Sequence, residues 1–276
     1  MKPPQSLIAS LTKRFQDTSG LLEIDNLTLL NIANRGSCRD FTDTKVEDNL
    51  VQTLCAVSLA SPTKSDLQQR DIIIVDDKEQ RQRISAIFSE VRLIREAPLL
   101  LVFCANNRRL RQISKWREIP FENDHLDAFF NASVDAGIAL ASFVIAAESE
   151  GLGCCPISEI RNHVQQVTEI LELPDYVFPV AGLAVGWPVE PPLISMRLPL
   201  AATVHRNSFS EERLEMLVDG YDLQRSKIQP SQNQRNIDRF GLSEKYGWSE
   251  DKARQYANPQ RSDFGEFIRR KGFNLD

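Results

Sequence analysis

The sequence is poor in the patterns that build metal centres and disulfide scaffolds. Its five cysteines (Cys38, Cys55, Cys104, Cys154, Cys155) show no CxxC spacing, and its three histidines lie far apart with no HExxH pattern. Neither a metal site nor a disulfide framework is expected, and the thiols are expected to be free. Cys104 directly follows the apolar run Leu99 to Phe103, which suits a small buried hydrophobe. Basic charge is also short. Against 38 Asp and Glu stand 33 Lys and Arg, for a net charge of -5, whereas neutralising a nucleic-acid backbone takes clustered cations in excess. Nucleic acid is therefore not an expected partner. No apolar run approaches the roughly 20 residues of a membrane-crossing helix, and Met1 to Thr12 lacks the basic-then-apolar layout of a secretory signal. The expectation is a cytoplasmic protein with no membrane partner. Internal repeats and low-complexity tracts are missing as well.

What is present suffices for a substantial core, with 42% hydrophobic residues in a chain of 276. Residues 6 to 30 mix apolar and polar positions at helical spacing. Val46, Leu50, Val51, Leu54, Cys55 and Val57 recur at three and four residues, predicting an amphipathic helix that runs to about Ala60 and stops near Pro62. Ile72 to Val75 and Leu99 to Phe103 read as buried strands joined by a helix over 78–93. Residues 125–150 carry Leu126, Phe129, Phe130, Val134, Ile138, Ala141, Val144 and Ile145, predicting a helix apolar around most of its girth. Such a helix fills a domain centre or a dimer interface; Gly151 and Gly153 stop it. Ser158 is placed to cap a helix from Glu159 to Leu173. Tyr176 to Trp187 reads as a further strand, and helices are expected over about 210–218 and 249–272 with a polar stretch, Gln224 to Arg239, between them. Helices alternating with short strands give a mixed α/β composition.

The segment from Asn34 to Phe41 contains the pattern Arg-x-Ser-x-Arg-x-Phe, and a Ser-Pro-Thr-Lys-Ser-Asp-Leu-Gln loop follows at 61–68. Ala146 to Gly153, Ile170 to Pro174 and Gly182 to Pro188 then come in order. Together these elements resemble the nitroreductase family. Arg197-Leu198-Pro199, Val204 to Phe209 and Trp248-Ser249-Glu250 are similar to its oxygen-insensitive NADPH nitroreductase and NADPH-flavin oxidoreductase subgroup. The resemblance implies an α+β fold with a central, mostly antiparallel sheet flanked by helices, in an intertwined homodimer built around the long helix. It divides the chain into an N-terminal helical extension (1–30), an FMN-binding core (31–209) and a C-terminal helical excursion and tail (210–276). It also implies ping-pong chemistry, in which NADPH, or NADH, reduces bound FMN and a small-molecule acceptor, a nitroaromatic, quinone or flavin, takes the electrons.

A phosphate with nearly two negative charges calls for guanidinium groups and hydroxyl donors, and Arg35, Ser37 and Arg39 offer that set within five residues. Alone, they would read as surface arginines beside a turn. The resemblance gives them the FMN phosphate, with Arg197 as a second arginine from further along the chain. It also puts Thr63, Lys64, Ser65 and Gln68 against the ribityl chain and ring edge, and Pro156, Ile157 and Ser158 beside the isoalloxazine. Ser158 and Glu159 read equally well as a plain helix start. Arg235, Arg239 and Arg261 are candidates for the 2'-phosphate of NADPH, with solvated surface charges as the other reading. No catalytic side chain is assigned, because a flavin carries the redox chemistry itself. The chain departs from the family at Ser195, where a lysine is common, and at Ser158-Glu159 in place of Gly-Gly. These departures keep open a second function: a flavin- or ligand-binding protein without NAD(P)H turnover.

Overall fold

The apolar run after Pro98 becomes the middle of a sheet, and the helical periodicities become the layers that cover it. The protein is described by a computed structural model over residues 6–276. Its helices are α1 (Leu7–Phe15), α2 (Leu27–Asn34), α3 (Asp48–Leu59), α4 (Lys78–Ile87), α5 (Arg92–Glu96), α6 (Arg108–Trp116), α7 (Leu126–Ser149), α8 (Val164–Ile170), α9 (Leu214–Ile228), α10 (Ile237–Phe240), α11 (Trp248–Tyr256) and α12 (Phe264–Arg270). The strands are β1 (Arg70–Ile74), β2 (Leu99–Asn106), β3 (Gly153–Ile157) and β4 (Val177–Gly186).

Two units form, one from Ser37–Pro192 with Arg261–Asp276, the other from Met1–Gly36 with Leu193–Gln260. Each unit is assembled from two separate stretches of the chain. The part of the N-terminal extension before residue 6 lies outside the described residues.

In the sheet unit the strand order is β1-β2-β4-β3, and every neighbouring pair is antiparallel. Helices cover both faces, so the central strands are apolar without alternation. Leu100, Val102, Cys104 and Ala184 turn to one face, where Ile84, Ile94 and Val167 of α4, α5 and α8 pack on them. Leu101, Phe103, Leu183 and Val185 turn to the other, against Val51 and Leu54 of α3 and Ala139 and Phe143 of α7. Burial pushes the Cys104 thiol well above its usual range, which fits a packing role. β1 is an edge strand, and Asp71 to Ile74 are only half-buried rather than fully enclosed.

Several local expectations need correction. The helix expected over 78–93 breaks at Phe88 into α4 and α5, and the turn lets both Phe88 and Ile94 enter the same core. Ser158 caps no helix: it begins a 3-10 turn, Ser158–Arg161, without side-chain capping, and α8 starts only at Val164. α7 is long and apolar enough, by length and composition, to cross a membrane, contrary to the reading of apolar runs. Its faces nonetheless pack on the sheet through Phe143 and Ala147.

In the other unit, residues 6–30 are not continuously helical. α1 ends at Phe15, Gly20 turns with φ +80, and Asn26 caps α2 by accepting the Leu29 N–H at 3.1 Å. The helix expected over 210–218 forms later and longer as α9. Asp222 on α9 accepts the Ser249 N–H at the start of α11, and Tyr221 meets Trp248 edge-on at 5.4 Å. The helix expected over 249–272 is two helices, α11 and α12, one in each unit.

Candidate cofactor site

The Ser37 to Phe41 part of the motif is held as a short strip along the sheet. Ser37 bridges Cys154 in parallel, Phe41 bridges Pro188, the Cys38 N–H donates to the Cys154 carbonyl at 3.0 Å, and the Thr42 N–H donates to Trp187 at 2.8 Å. Glycine is required at 153, since a Cβ there would fall 2.6 Å from Cβ and Sγ of Cys38. Arg39 is exposed, and among the described residues its guanidinium donates only to the Ser37 carbonyl, at 3.4 Å.

The loop between α3 and β1 is held in an unusual backbone conformation. Ser65, Asp66 and Gln68 have φ of 47, 57 and 51°, a left-handed region that costs non-glycine residues roughly 1 kcal/mol each. The compensating anchor is Asp135, fully buried in α7: its carboxylate accepts the Lys64 N–H and the Gln69 N–H, each at 3.0 Å. Arg70, also buried, donates to the carbonyls of Leu59 at 2.6 Å and Ser61 at 2.8 Å. Arg109 donates to the Gln68 carbonyl at 2.6 Å and ion-pairs with Asp71, while Asn107 reaches the Gln69 side chain at 2.8 Å. So fixed, the loop leaves Lys64, Ser65 and Gln68 exposed and Thr63 half-buried.

Pro156 is exposed on the edge strand β3, Ile157 is buried, and Ser158 and Glu159 are exposed. With only a four-residue 3-10 turn behind it, Ser158 lacks the helix dipole that a capped helix would have supplied. The exposed Glu159 places no buried carboxylate there.

Two predicted phosphate arginines belong to the other unit. Arg35 follows α2 directly, and Arg197 lies on the segment before α9. Among the described residues the Arg197 guanidinium donates only to the carbonyl of Met196, at 3.2 Å. It lines a cavity of about 610 Å³ together with Phe15, Thr203, Tyr221, Arg225 and Trp248.

The NADPH candidates lie in different settings. Arg235 pairs with Asp251 at 3.0 Å, and Arg239 donates to the Ala257 carbonyl at 2.9 Å, so both brace their own unit. Arg261 is half-buried beside α12, with φ 57. Arg161 is close enough for Arg261 to help hold its pKa down, although burial is the larger cause.

This donor set fits FMN chemically: guanidinium groups and hydroxyls for a phosphate, and a braced loop of hydroxyl, amide and ammonium groups for the ribityl chain and ring. Asp135, Arg70 and Arg109 escaped the sequence reading. Asp135 had a visible signal, as the one carboxylate in the middle of an otherwise apolar helix.

The Nitroreductase family domain matches residues 32–187, and the Nitroreductase family C-terminal domain matches residues 195–276. The chain belongs to the nitroreductase family. It is 31% identical over 254 residues to an FMN reductase [NAD(P)H] of Bacillus subtilis, covering 91% of this chain and 99% of that one. It is also 32% identical over 197 residues to an NADPH-flavin oxidoreductase of Vibrio harveyi, covering 71% and 80% of the two chains. Among solved structures, NfrA2 of B. megaterium superposes with a TM-score of 0.82 at 31% identity, over 91% of this chain and 99% of that one. NADPH:FMN oxidoreductase from Vibrio harveyi, complexed with NAD+, gives 0.78 at 28% identity, over 90% and 98%.

Proposed function

We propose that this chain is an FMN-dependent NAD(P)H oxidoreductase that passes electrons to a nitroaromatic, quinone or flavin acceptor. The observation that carries the reading is the loop from Pro62 to Gln69, held by the buried Asp135 in a backbone conformation that three non-glycine residues otherwise avoid. Such preorganisation positions Ser65, Gln68 and Lys64 before a ligand arrives, so binding spends less on ordering them.

FMN, when bound, supplies the electron-accepting and electron-donating chemistry. The side chains bind and orient. Arg35, Ser37, Arg39 and Arg197 take the phosphate, Thr63, Ser65 and Gln68 bond the ribityl chain and ring edge, and the Lys64 ammonium favours the form carrying negative charge. Pro156, Ile157 and Ser158 flank the ring. Arg235 and Arg261 are the candidates for the 2'-phosphate of NADPH, since a phosphate-selective site calls for guanidinium groups.

The working form is a homodimer built on α7. Leu126, Phe130 and Val134 are exposed at 50%, 58% and 41%, an apolar stripe at helical spacing that water-facing helices avoid. A cytoplasmic location agrees with a reaction drawing on the NAD(P)H pool. Steady-state rates with NADPH and a quinone varied together test the reading. Parallel double-reciprocal lines are expected; intersecting lines would contradict a single site serving two half-reactions in turn.

A further inference from the structure

α1 lies before the residues matched by the family domain, yet one of its residues, Arg14, bonds the backbone of both arginines that the proposed site takes from its unit: that of Arg35 through its side chain and that of Arg197 through its carbonyl. Arg14 is only 6% exposed. Its Nε donates to the Ala33 carbonyl at 2.7 Å, one terminal nitrogen donates to the Ser195 carbonyl at 3.3 Å, and the other donates to the Arg35 carbonyl. The link also runs the other way, because the Arg197 N–H donates to the carbonyl of Arg14 at 2.7 Å. One residue thus ties the end of α2, where Arg35 begins its excursion, to the Ser195–Arg197 segment, which is 160 positions away in sequence.

We infer that Arg14 is the positioning residue of the phosphate subsite: it sets the spacing between Arg35 and Arg197 and keeps a buried positive charge behind them. The inference rests on the assignment of those two arginines to the FMN phosphate. Guanidinium suits the task because its planar fork offers five N–H donors in fixed directions, enough to serve three carbonyls at once. A lysine brings the same charge on one flexible point and cannot span them. Phe15, the next residue, lines the cavity that Arg197 lines, so α1 also supplies part of its wall. The N-terminal helix is in this reading a strut under the cofactor's phosphate rather than an appendage.

The phosphate separates FMN from riboflavin, which has the same ring and ribityl chain. Arg14→Gln is expected to weaken FMN binding about tenfold while leaving riboflavin affinity within about twofold, since charge-assisted bonds to a phosphate depend on arginine placement. Arg14→Lys is expected to fall between wild type and Arg14→Gln, and it provides the same comparison if the glutamine variant does not fold. Equal losses for both flavins, or no change in either, would overturn the role of Arg14. Arg197→Gln reports on the underlying assignment. If it lowers the FMN preference and the Arg14 variants do not, only the positioning role fails; if it too leaves the preference untouched, the phosphate subsite is wrongly assigned.

Discussion

The Asp135 carboxylate accepts the backbone N–H of Lys64 at 3.0 Å from the interior of α7, and its second oxygen accepts that of Gln69 at the same distance. One side chain thereby closes a loop whose φ angles oppose it. Asp135→Asn turns one of those acceptors into a donor facing a donor. It is expected to destabilise the fold by about 2–4 kcal/mol in urea unfolding and to weaken FMN binding. A variant with wild-type stability and wild-type flavin affinity would show that the loop needs no anchor.

Gly153 leaves no room for a side chain beside Cys38. Gly153→Ala would force its Cβ to 2.6 Å from Cys38 Cβ and Sγ, and an expected cost of about 1–3 kcal/mol follows from overpacking. Adding Cys38→Gly should recover part of the loss, because it removes both obstructing atoms. Thermal melts of the single and double variants check this.

Arg111 and Asp124 form a two-armed ion pair at 3.0 and 2.6 Å, and Arg111 also stacks 3.9 Å from the Tyr176 ring. Its hydrogen bonds hold the Asp124 carboxyl below the usual carboxylate range. A depressed acid stabilises the fold above its unfolded pKa and loses that contribution as pH falls through the folded value. Wild type should therefore exceed Asp124→Asn by about 1 kcal/mol near neutrality, a figure kept small for a partly exposed carboxylate. The gap should persist above about pH 4 and close below it. A gap that widens on acidification would reverse the sign of this linkage.

Phe130 lies in the exposed apolar stripe of α7. If the proposed dimer forms on this stripe, Phe130→Asp is expected to give a monomer in sedimentation where wild type gives a dimer, and to lower flavin affinity with it, at a cost to the monomer's own stability within about 0.5 kcal/mol for a surface position. An unchanged sedimentation coefficient would move the interface elsewhere.

The strands and the long helix were legible because their apolar runs are dictated by burial on a two-sided sheet. Leu99 to Phe103 could be little else. Edges were less so: Ile72 to Ile74 has the same composition as a buried strand, and only its place at the end of the sheet leaves it half-exposed, while Val75 beyond it is buried. Ser158 had the chemistry of a cap, yet Ile160 and Val164 turn into the core across a 3-10 turn, and no local rule foretold that. The arginines proposed for the phosphate were named from motif order. What positions them could not be, because Arg14 meets Arg35 and Ser195 across long sequence separations, and a lone arginine in an amphipathic helix reads as a solvated charge.

The most direct measurement is the visible spectrum of the purified protein with FMN, recorded anaerobically before and after NADPH and then NADH. The account predicts a bound-flavin spectrum that bleaches on addition of NADPH and returns when a quinone is supplied. A spectrum that stays yellow with both donors would leave a flavin-binding protein without turnover, and absence of any bound-flavin spectrum would contradict the cofactor site itself.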